Sequence, residues 1–342
     1  MNPNDPSRRG SAAALEPASA AGRLSRWLLL VAGAALFGWL ILSNDPAAVL
    51  GPVSALSWRI LIVLVFPFSL ITVLDTLGWR YAFRTDRVPF RALLWVRIAG
   101  ESVNVTTPTA SVGGEAVKAW LLRPYVGYTD GISSVIVAKT TITIAQGLML
   151  ALGIVCAWLA LPAGSPLLRP MEWLLLVEVL AVGGFVAVQL VGVMGAGGRL
   201  LGRFGVPLAA LGGVALDDSL GSFYRRSPGR LALSIGFHFA GWVVSALETY
   251  LILALLGIEV SLLTALVIEA AGTAVRFATF MVPGHLGVLE GGQVAVFVAL
   301  GLTGASALSF SLVRRIREVV WVGVGLVMLA AVSRAALPAP AD

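Results

Sequence analysis

Arg97-Ile-Ala-Gly-Glu101-Ser-Val-Asn104-Val-Thr106-Thr107-Pro108-Thr109-Ala-Ser111-Val-Gly113-Gly114-Glu115-Ala-Val-Lys118 decides how this chain folds. It lies among apolar residues, yet it carries two acids, two bases, a proline and a glycine pair. Proline removes a backbone donor and glycine weakens a helix, so the chain is expected to unwind here. Unpaired backbone cannot face lipid. It must be buried in protein or line a wet cavity.

A second stretch behaves in the same way. It runs from Glu269 through Arg276 to Pro283-Gly284-His285-Leu286-Gly287-Val288-Leu289-Glu290-Gly291-Gly292-Gln293. Pro108 precedes Glu115 by seven residues, and Pro283 precedes Glu290 by seven. Lys139 follows Glu115 by 24 residues, and Arg314 follows Glu290 by 24. Each half thus reads proline, glycine-containing turn, glutamate, then a cation on the next helix. This is an internal repeat. Paired interrupted segments in the two halves of a membrane protein point to a substrate site between them. Helices starting just after Pro108 and Pro283 would aim their N-terminal dipoles at that site and favour an anion such as a phospholipid head group.

The composition around these stretches agrees. Of 342 residues, 58% are hydrophobic and only 12% charged, and the mean hydropathy is +0.91. A soluble domain carries about 25% charged residues. That excludes a soluble fold, a disordered chain, a nucleic-acid module and a secreted disulfide scaffold. The net charge of +6 comes almost wholly from arginine, because Lys118 and Lys139 are the only lysines. In such a chain a basic balance marks cytoplasmic loops, not nucleic-acid binding. One cysteine, Cys156, and two distant histidines, His238 and His285, lack the spacing of a zinc site. No metal and no cofactor is expected. No Walker loop, H-E-x-x-H, G-x-S-x-G or dinucleotide fingerprint is present.

A span takes about 20 apolar residues. Trp27–Ser43, Trp58–Leu77, Gly131–Ala160, Trp173–Met194, Leu231–Leu256 and Leu312–Val332 qualify. Trp27, Trp58, Trp79, Trp158 and Trp173 fall near segment ends, where an interfacial aromatic belt would lie. Residues 1–26 read as a basic, flexible cytoplasmic tail, and 27–335 as one transmembrane domain. Its halves are 27–194 and 231–335, joined by a polar cytoplasmic connector, 195–230. Arginines in the tail, in 78–91 and in 195–230 place those segments inside, with 44–57 and 161–172 outside. Segment 92–130 must then enter and return on one side, as a tight hairpin or a re-entrant loop. The expected fold is an all-α polytopic bundle of two pseudo-symmetric inverted repeats, each holding a broken or re-entrant segment.

Charges inside apolar stretches are Asp75, Arg97, Glu101, Glu115, Lys118, Lys139, Glu248, Glu269, Arg276 and Glu290. Each would cost about 2.5–3.5 kcal/mol at a span centre if it faced lipid, so most must face one another or water. Arg314-Arg315-Ile316-Arg317-Glu318 falls on the outer side of the last span under this topology, against the positive-inside rule. Either the topology is wrong there or, the preferred reading, those arginines face a groove and bind an anion, with an Arg317–Glu318 pair as the plainer option. His238 reads as a core histidine. Gly287 and Gly291 form a G-x-x-x-G whose default role is close helix packing. The Asn104-Val-Thr106 sequon is discounted, because it lies inside the broken segment.

The run Gly100-Glu101, Asn104, Thr107-Pro108, Gly113-Gly114-Glu115 and Lys118-Ala-Trp-Leu-Leu resembles the first signature of the lysylphosphatidylglycerol synthase transmembrane-region family, also called flippase-like domain proteins. Val282-Pro283-Gly284-His285-Leu286-Gly287-Val288-Leu289-Glu290 resembles its second. Val135-Ile136-Val137-Ala138-Lys139 resembles the helix after the first signature, with Lys139 where arginine is commoner. The resemblance implies a multi-pass inner-membrane protein of bacteria or archaea, its N-terminus cytoplasmic, with about eight spans of about 20 residues each. It also implies that in the bifunctional members this region moves an aminoacylated phospholipid between leaflets. A soluble synthase domain follows in bifunctional members; here none is expected before Asp342, so aminoacyl transfer is not implied. Some stand-alone members that this chain resembles accompany hopanoid biosynthesis.

The leading expectation is therefore a translocase for an anionic or lipid-linked substrate, passive or ion-coupled. Candidate head-group residues are Glu101, Asn104, Pro108, Gly113, Gly114, Glu115, Lys118 and Lys139 in the first half. Those in the second are Arg276, Pro283, Gly284, Gly287, Glu290, Arg314 and Arg315. Two other readings stay open: a lipid-modifying enzyme with Glu115 or Glu290 as general base, and a non-catalytic partner of lipid-biosynthesis enzymes.

Overall fold

Among the described residues every regular element is a helix. The computed structural model describes residues 20–107, 113–162, 164–191, 213–279, 282 and 285–336. Pro108, Pro283 and Gly284 of the expected site, the stretch 1–19, the end of the expected Trp173–Met194 span from 192 on and positions 195–212 of the connector lie outside the described residues.

The helices are α1 (Ala20–Ser43), α2 (Pro46–Ala55), α3 (Ile60–Val65), α4 (Phe68–Tyr81), α5 (Phe90–Thr106), α6 (Gly113–Leu121), α7 (Tyr128–Ala160), α8 (Leu168–Val191), α9 (Gly213–Arg226), α10 (Pro228–Leu255), α11 (Leu262–Ala278), α12 (Val288–Ala299) and α13 (Gly304–Ala336). Local signals set several starts. The Asp45 carboxylate accepts from the Ala47 amide to cap α2. Ser261 does the same for α11 through Thr264, and Pro228 opens α10.

Four described helices are long and apolar enough to cross a membrane: Ser57–Tyr81, Tyr128–Ala160, Leu168–Leu190 and Pro228–Leu255. The expected first span lies on α1, which with α2 forms a pair bent by 94°. The expected last span falls within α13, which starts earlier, at Gly304.

The first broken segment becomes α5 and α6, of 17 and 9 residues. The second becomes α11 and α12, of 17 and 12. At 1.5 Å per residue α6 is about 14 Å long and α12 about 18 Å, too short for a hydrocarbon core of about 30 Å. Each pair is followed by a helix of 33 residues, α7 or α13. The most extensive pairs are α4 with α10, α5 with α13, α7 with α10, and α7 with α11.

Two apolar cores lie at opposite ends of α7 and α10. One gathers Trp79, Leu93, Leu121, Val137 and Phe223, with Leu231 against it. The other gathers Met149, Leu150, Leu253, Ile268, Phe297 and Phe310. Small residues let the helices close: Gly153 of α7 meets the Ala270 methyl of α11. Between the cores α7 and α10 carry a polar layer. Thr141 and Ser234 share a hydrogen bond there, and the Ser234 hydroxyl also donates to the Gly78 carbonyl of α4.

The structure changes one local expectation. Trp58, Trp158 and Trp173 are exposed as an interfacial belt requires, but Trp79 is buried and donates its indole N–H to Ser134. The α4 helix packs against α5, α7 and α10, which leaves that tryptophan no lipid. In the connector, α9 buries Leu216, Leu220 and Phe223 in the first core, and Tyr224 donates to Gln189 of α8. Its apolar face is spent on protein.

Candidate functional site

Both broken pairs present their charges to the polar layer. In the first, glycine brings α6 onto α5. A methyl added at Gly114 would overlap the Gly100 carbonyl and the Asn104 side chain. With no such methyl, Asn104 Oδ1 accepts the Gly114 N–H at 2.8 Å and satisfies an orphan donor at the start of α6. The Asn104 amide donates to Glu115 at 3.1 Å, which occupies the sequon side chain. Lys118, buried, donates to Glu101 at 2.6 Å and to Glu115 at 3.0 Å. Lys139 of α7 stands 3.7 Å from Glu115, with its side chain 51% exposed. Arg97 reaches Asp75 of α4 at 2.7 Å, and Asp75 also meets His238 Nδ1 of α10 at 2.9 Å.

In the second half Glu290 turns back on its own helix. One oxygen accepts the Gly287 N–H at 2.7 Å, and the other accepts from Arg315 at 2.7 Å. Gly287 has φ +78° and lies against the Gly33 backbone of α1. Gly291 faces Leu40 of α1, so the G-x-x-x-G serves helix packing. Thr279 and His285 meet at 3.0 Å across the break, as Asn104 and Gly114 do across the first. Arg314 donates to Glu269 at 2.6 Å, while Ser245 and Thr249 donate to the same carboxylate. Glu248, buried in α10, faces Arg317 and lies 3.6 Å from Arg314.

Two spacing-based pairings differ from expectation. Glu115 does approach Lys139, but Glu290 takes Arg315 and leaves Arg314 to Glu269. Adjacent helical residues point about 100° apart, so 314 and 315 address different neighbours. Likewise Arg317 binds Glu248, and Glu318 binds Arg315 at i,i+3. Side chains at i,i+1 do not face each other. The arginines at 314, 315 and 317 all turn inward onto acids.

The polar layer holds two cavities. The larger, about 170 Å³, is lined by Asp75, Trp242, Glu248, Arg276, Arg314 and Arg317, among others. The smaller, about 30 Å³, is lined by Arg97, Glu101, Glu115, Lys118, Lys139 and His238, among others. Ile142 of α7 lines both, and the Asp75–His238 bond joins a wall of one to a wall of the other. Glu101, Asn104, Gly114, Glu115, Lys118 and Lys139 thus form one cluster. Gly113 opens α6 beside it. Glu290 and Arg315 form a second contact, and Arg276 and Arg314 line the larger cavity.

Sequence reasoning left Trp242 unmentioned and kept Asp75, His238, Glu248 and Glu269 out of the site. A signal existed for Trp242. It stands mid-way along the Pro228–Leu255 span, far from either aromatic belt.

Broken helix pairs around buried, mutually neutralised charges, in a bundle with membrane-length apolar helices, define a polytopic membrane protein with an internal polar site. Residues 27–326 match the model of the lysylphosphatidylglycerol synthase TM region, and the chain belongs to that family. No curated protein and no solved structure gives a significant match.

Proposed function

We propose that this chain is a translocase that carries the polar head of an anionic or lipid-linked substrate between the leaflets of a bacterial inner membrane. Its N-terminus is cytoplasmic, and its halves are inverted copies. One observation carries the reading: two ionic clusters, one per broken helix pair, flank neighbouring cavities separated by Ile142 and the Asp75–His238 bond. Sheltering so many charges from lipid is worth its structural cost where a polar group must pass.

The site's cations divide in two. Lys118, Arg314 and Arg315 hold acids at hydrogen-bond distance. Lys139 is half exposed and only loosely held by Glu115, and Arg276 lines the larger cavity. Those two are the groups that meet the head group. Asn104, Glu101 and Glu290 fix the broken pairs around it. Glu290 spends one oxygen on Gly287 and the other on Arg315, an orienting role rather than that of a general base.

Reconstitution tests this. Proteoliposomes containing fluorescent anionic phospholipids should exchange them between leaflets faster than protein-free vesicles, and Lys139→Ala should slow the exchange. Unchanged exchange of anionic and polyprenyl-linked lipids alike would remove the translocase.

A further inference from the structure

The α8 helix holds a carboxyl without a partner among the described residues. The helix is apolar and long enough to span, over Leu168–Leu190. Its buried positions among the described residues are Met171, Glu178 and Gln189. They stand seven and eleven residues apart, so they share one narrow face of the helix. That face lies against α7. Methyls added at Gly153 and Gly147 would lie 3.5 Å from the Met171 methyl and 3.7 Å from the Glu178 carboxyl carbon. The Gln189 amide donates to Thr140. Val177, Val179 and Leu180, on either side of Glu178, are exposed. Glu178 stands ten residues from the start of α8 and thirteen from its end. At 1.5 Å per residue that is about 15 Å and about 20 Å, the middle of a hydrocarbon core about 30 Å thick.

Glu178 is 1% exposed, and neither carboxyl oxygen has a hydrogen-bond partner among the described residues. Glu269 and Glu290 are equally buried, and each holds an arginine. Helices α7, α9 and α11 pack against α8. Their charged and titratable side chains are Tyr128, Asp130, Lys139 and Cys156 on α7, Asp217, Asp218, Tyr224, Arg225 and Arg226 on α9, and Glu269 and Arg276 on α11. None of them hydrogen-bonds to Glu178. Tyr224 donates to Gln189, about 17 Å further along α8. Lys139 approaches Glu115. On α8 itself Glu172 accepts from Trp158, and Arg169 is exposed. An ionised carboxylate in apolar surroundings without a counter-charge is so costly that such a group takes up a proton instead. Acids placed this way within a membrane mark proton paths.

We infer that Glu178 is a proton-binding site: it holds one proton while α8 is seated on α7 and gives it up only when the seam opens to water. The site lies outside both ionic clusters and stands independently of the translocase reading. When α8 is seated the carboxyl is neutral, and the narrow face of the helix is held by apolar contact and the Gln189–Thr140 bond. When the carboxyl ionises, it puts an unpaired charge into the seam and drives α8 off its seat. Proton release and opening of the seam are therefore linked.

Infrared spectra and melting curves of the full chain in detergent test this, taken from mildly acidic to mildly alkaline buffer. At neutral pH the parent should show the carbonyl band of a protonated carboxyl, and Glu178→Gln should remove it. The parent's melting temperature, measured relative to Glu178→Gln, should fall as the buffer turns alkaline, because the folded chain holds a proton that the unfolded chain releases. A lipid-soluble carbodiimide gives a third readout. The carboxyl O–H protonates one reagent nitrogen, the carboxylate oxygen bonds to the central carbon, and the acyl group then migrates to nitrogen. The whole reagent adds and nothing leaves. Mass spectrometry of the α8 peptide should find this adduct on the parent and at least tenfold less on Glu178→Gln. Glu178→Leu, with no proton and no polar atom, gives the same comparisons should Glu178→Gln fail to fold. A protonated band that is absent at neutral pH, or unchanged in both variants, overturns the site. Parallel melting curves of parent and variants across the pH range overturn the link between the proton and the seam.

Discussion

The two broken helix pairs share a ground plan and differ in how firmly they are locked. Both consist of a 17-residue helix, a break, a short helix and a 33-residue helix. In the first the contacts to its own acids run through lysine, with Arg97 reaching out to Asp75 of α4, and the Glu101 side chain is 45% exposed. In the second they run through arginine, and Glu269, Glu290 and Glu248 are all buried. Lysine is a compact charge on a flexible stem, whereas arginine is a rigid fork. The second half is a braced frame of buried acids and arginines, and the first is a more exposed ionic cluster.

The sharpest break of this comparison comes from Glu269. Glu269→Leu leaves Ser245 and Thr249 facing an apolar side chain and Arg314 with only Glu248, 3.6 Å away, and stability should fall by about 3–5 kcal/mol, the cost of breaking a buried pair. Glu101→Leu should cost less, about 1.5–3 kcal/mol, because Lys118 keeps Glu115. Thermal melting of both variants in one detergent decides it, and equal losses would erase the distinction between braced and open halves.

Glycine substitutions sharpen the same contrast. Gly114→Ala drives a methyl into the Gly100 carbonyl, which cannot turn aside. Overpacking of this kind costs about 1–3 kcal/mol. Gly291→Ala places its methyl at ordinary contact distance from Leu40 and gains helix propensity, so its melting temperature should hold or rise. The polar bridges across the breaks come next. Asn104→Ala removes the acceptor for the Gly114 N–H and should cost about 0.5–2 kcal/mol. Thr279→Ala loses a bridge to His285 worth about 0.5–1.5 kcal/mol. Hydrogen exchange at α6 and α12 would show whether each break loosens locally.

Much of this arrangement could be read from the sequence, for a physical reason. Helix breaks are local events, and the helices do stop at Thr106 and Ala278, two residues before Pro108 and five before Pro283. Charge in an apolar stretch must find a partner, so the buried network was expected as a class. Which partner it finds is not local. The Glu–cation spacing of 24 residues gave Glu115 to Lys139 but not Glu290 to Arg314, because one residue turns a side chain to another neighbour. Asp75, His238 and Glu248 entered the site through the α4–α10 contact, which no spacing within either half encodes. Trp79 looked interfacial by position and was claimed by three packing helices.

A pair outside the bilayer sets the scale for both clusters. Asp86, between α4 and α5, meets Arg230 at 2.6 Å, the same distance as Glu269 to Arg314. Arg230 also donates to the Phe83 and Arg80 carbonyls. The Arg230 guanidinium beside Asp86, with Arg80 further off, holds that carboxyl below its ordinary range. A depressed carboxylate stabilises the fold above its unfolded pKa of about 3.9 and loses that contribution as pH falls through the folded value. The Asp86 side chain is 42% exposed, so water screens the pair, and Asp86→Asn should cost no more than about 1 kcal/mol at neutral pH. The gap between variant and parent should close as the solution is acidified below the ordinary carboxylate range. Equal distances with unequal penalties would show that the second half is braced by its surroundings and not by contact geometry. An Asp86→Asn loss as large as that of Glu269→Leu would show the opposite.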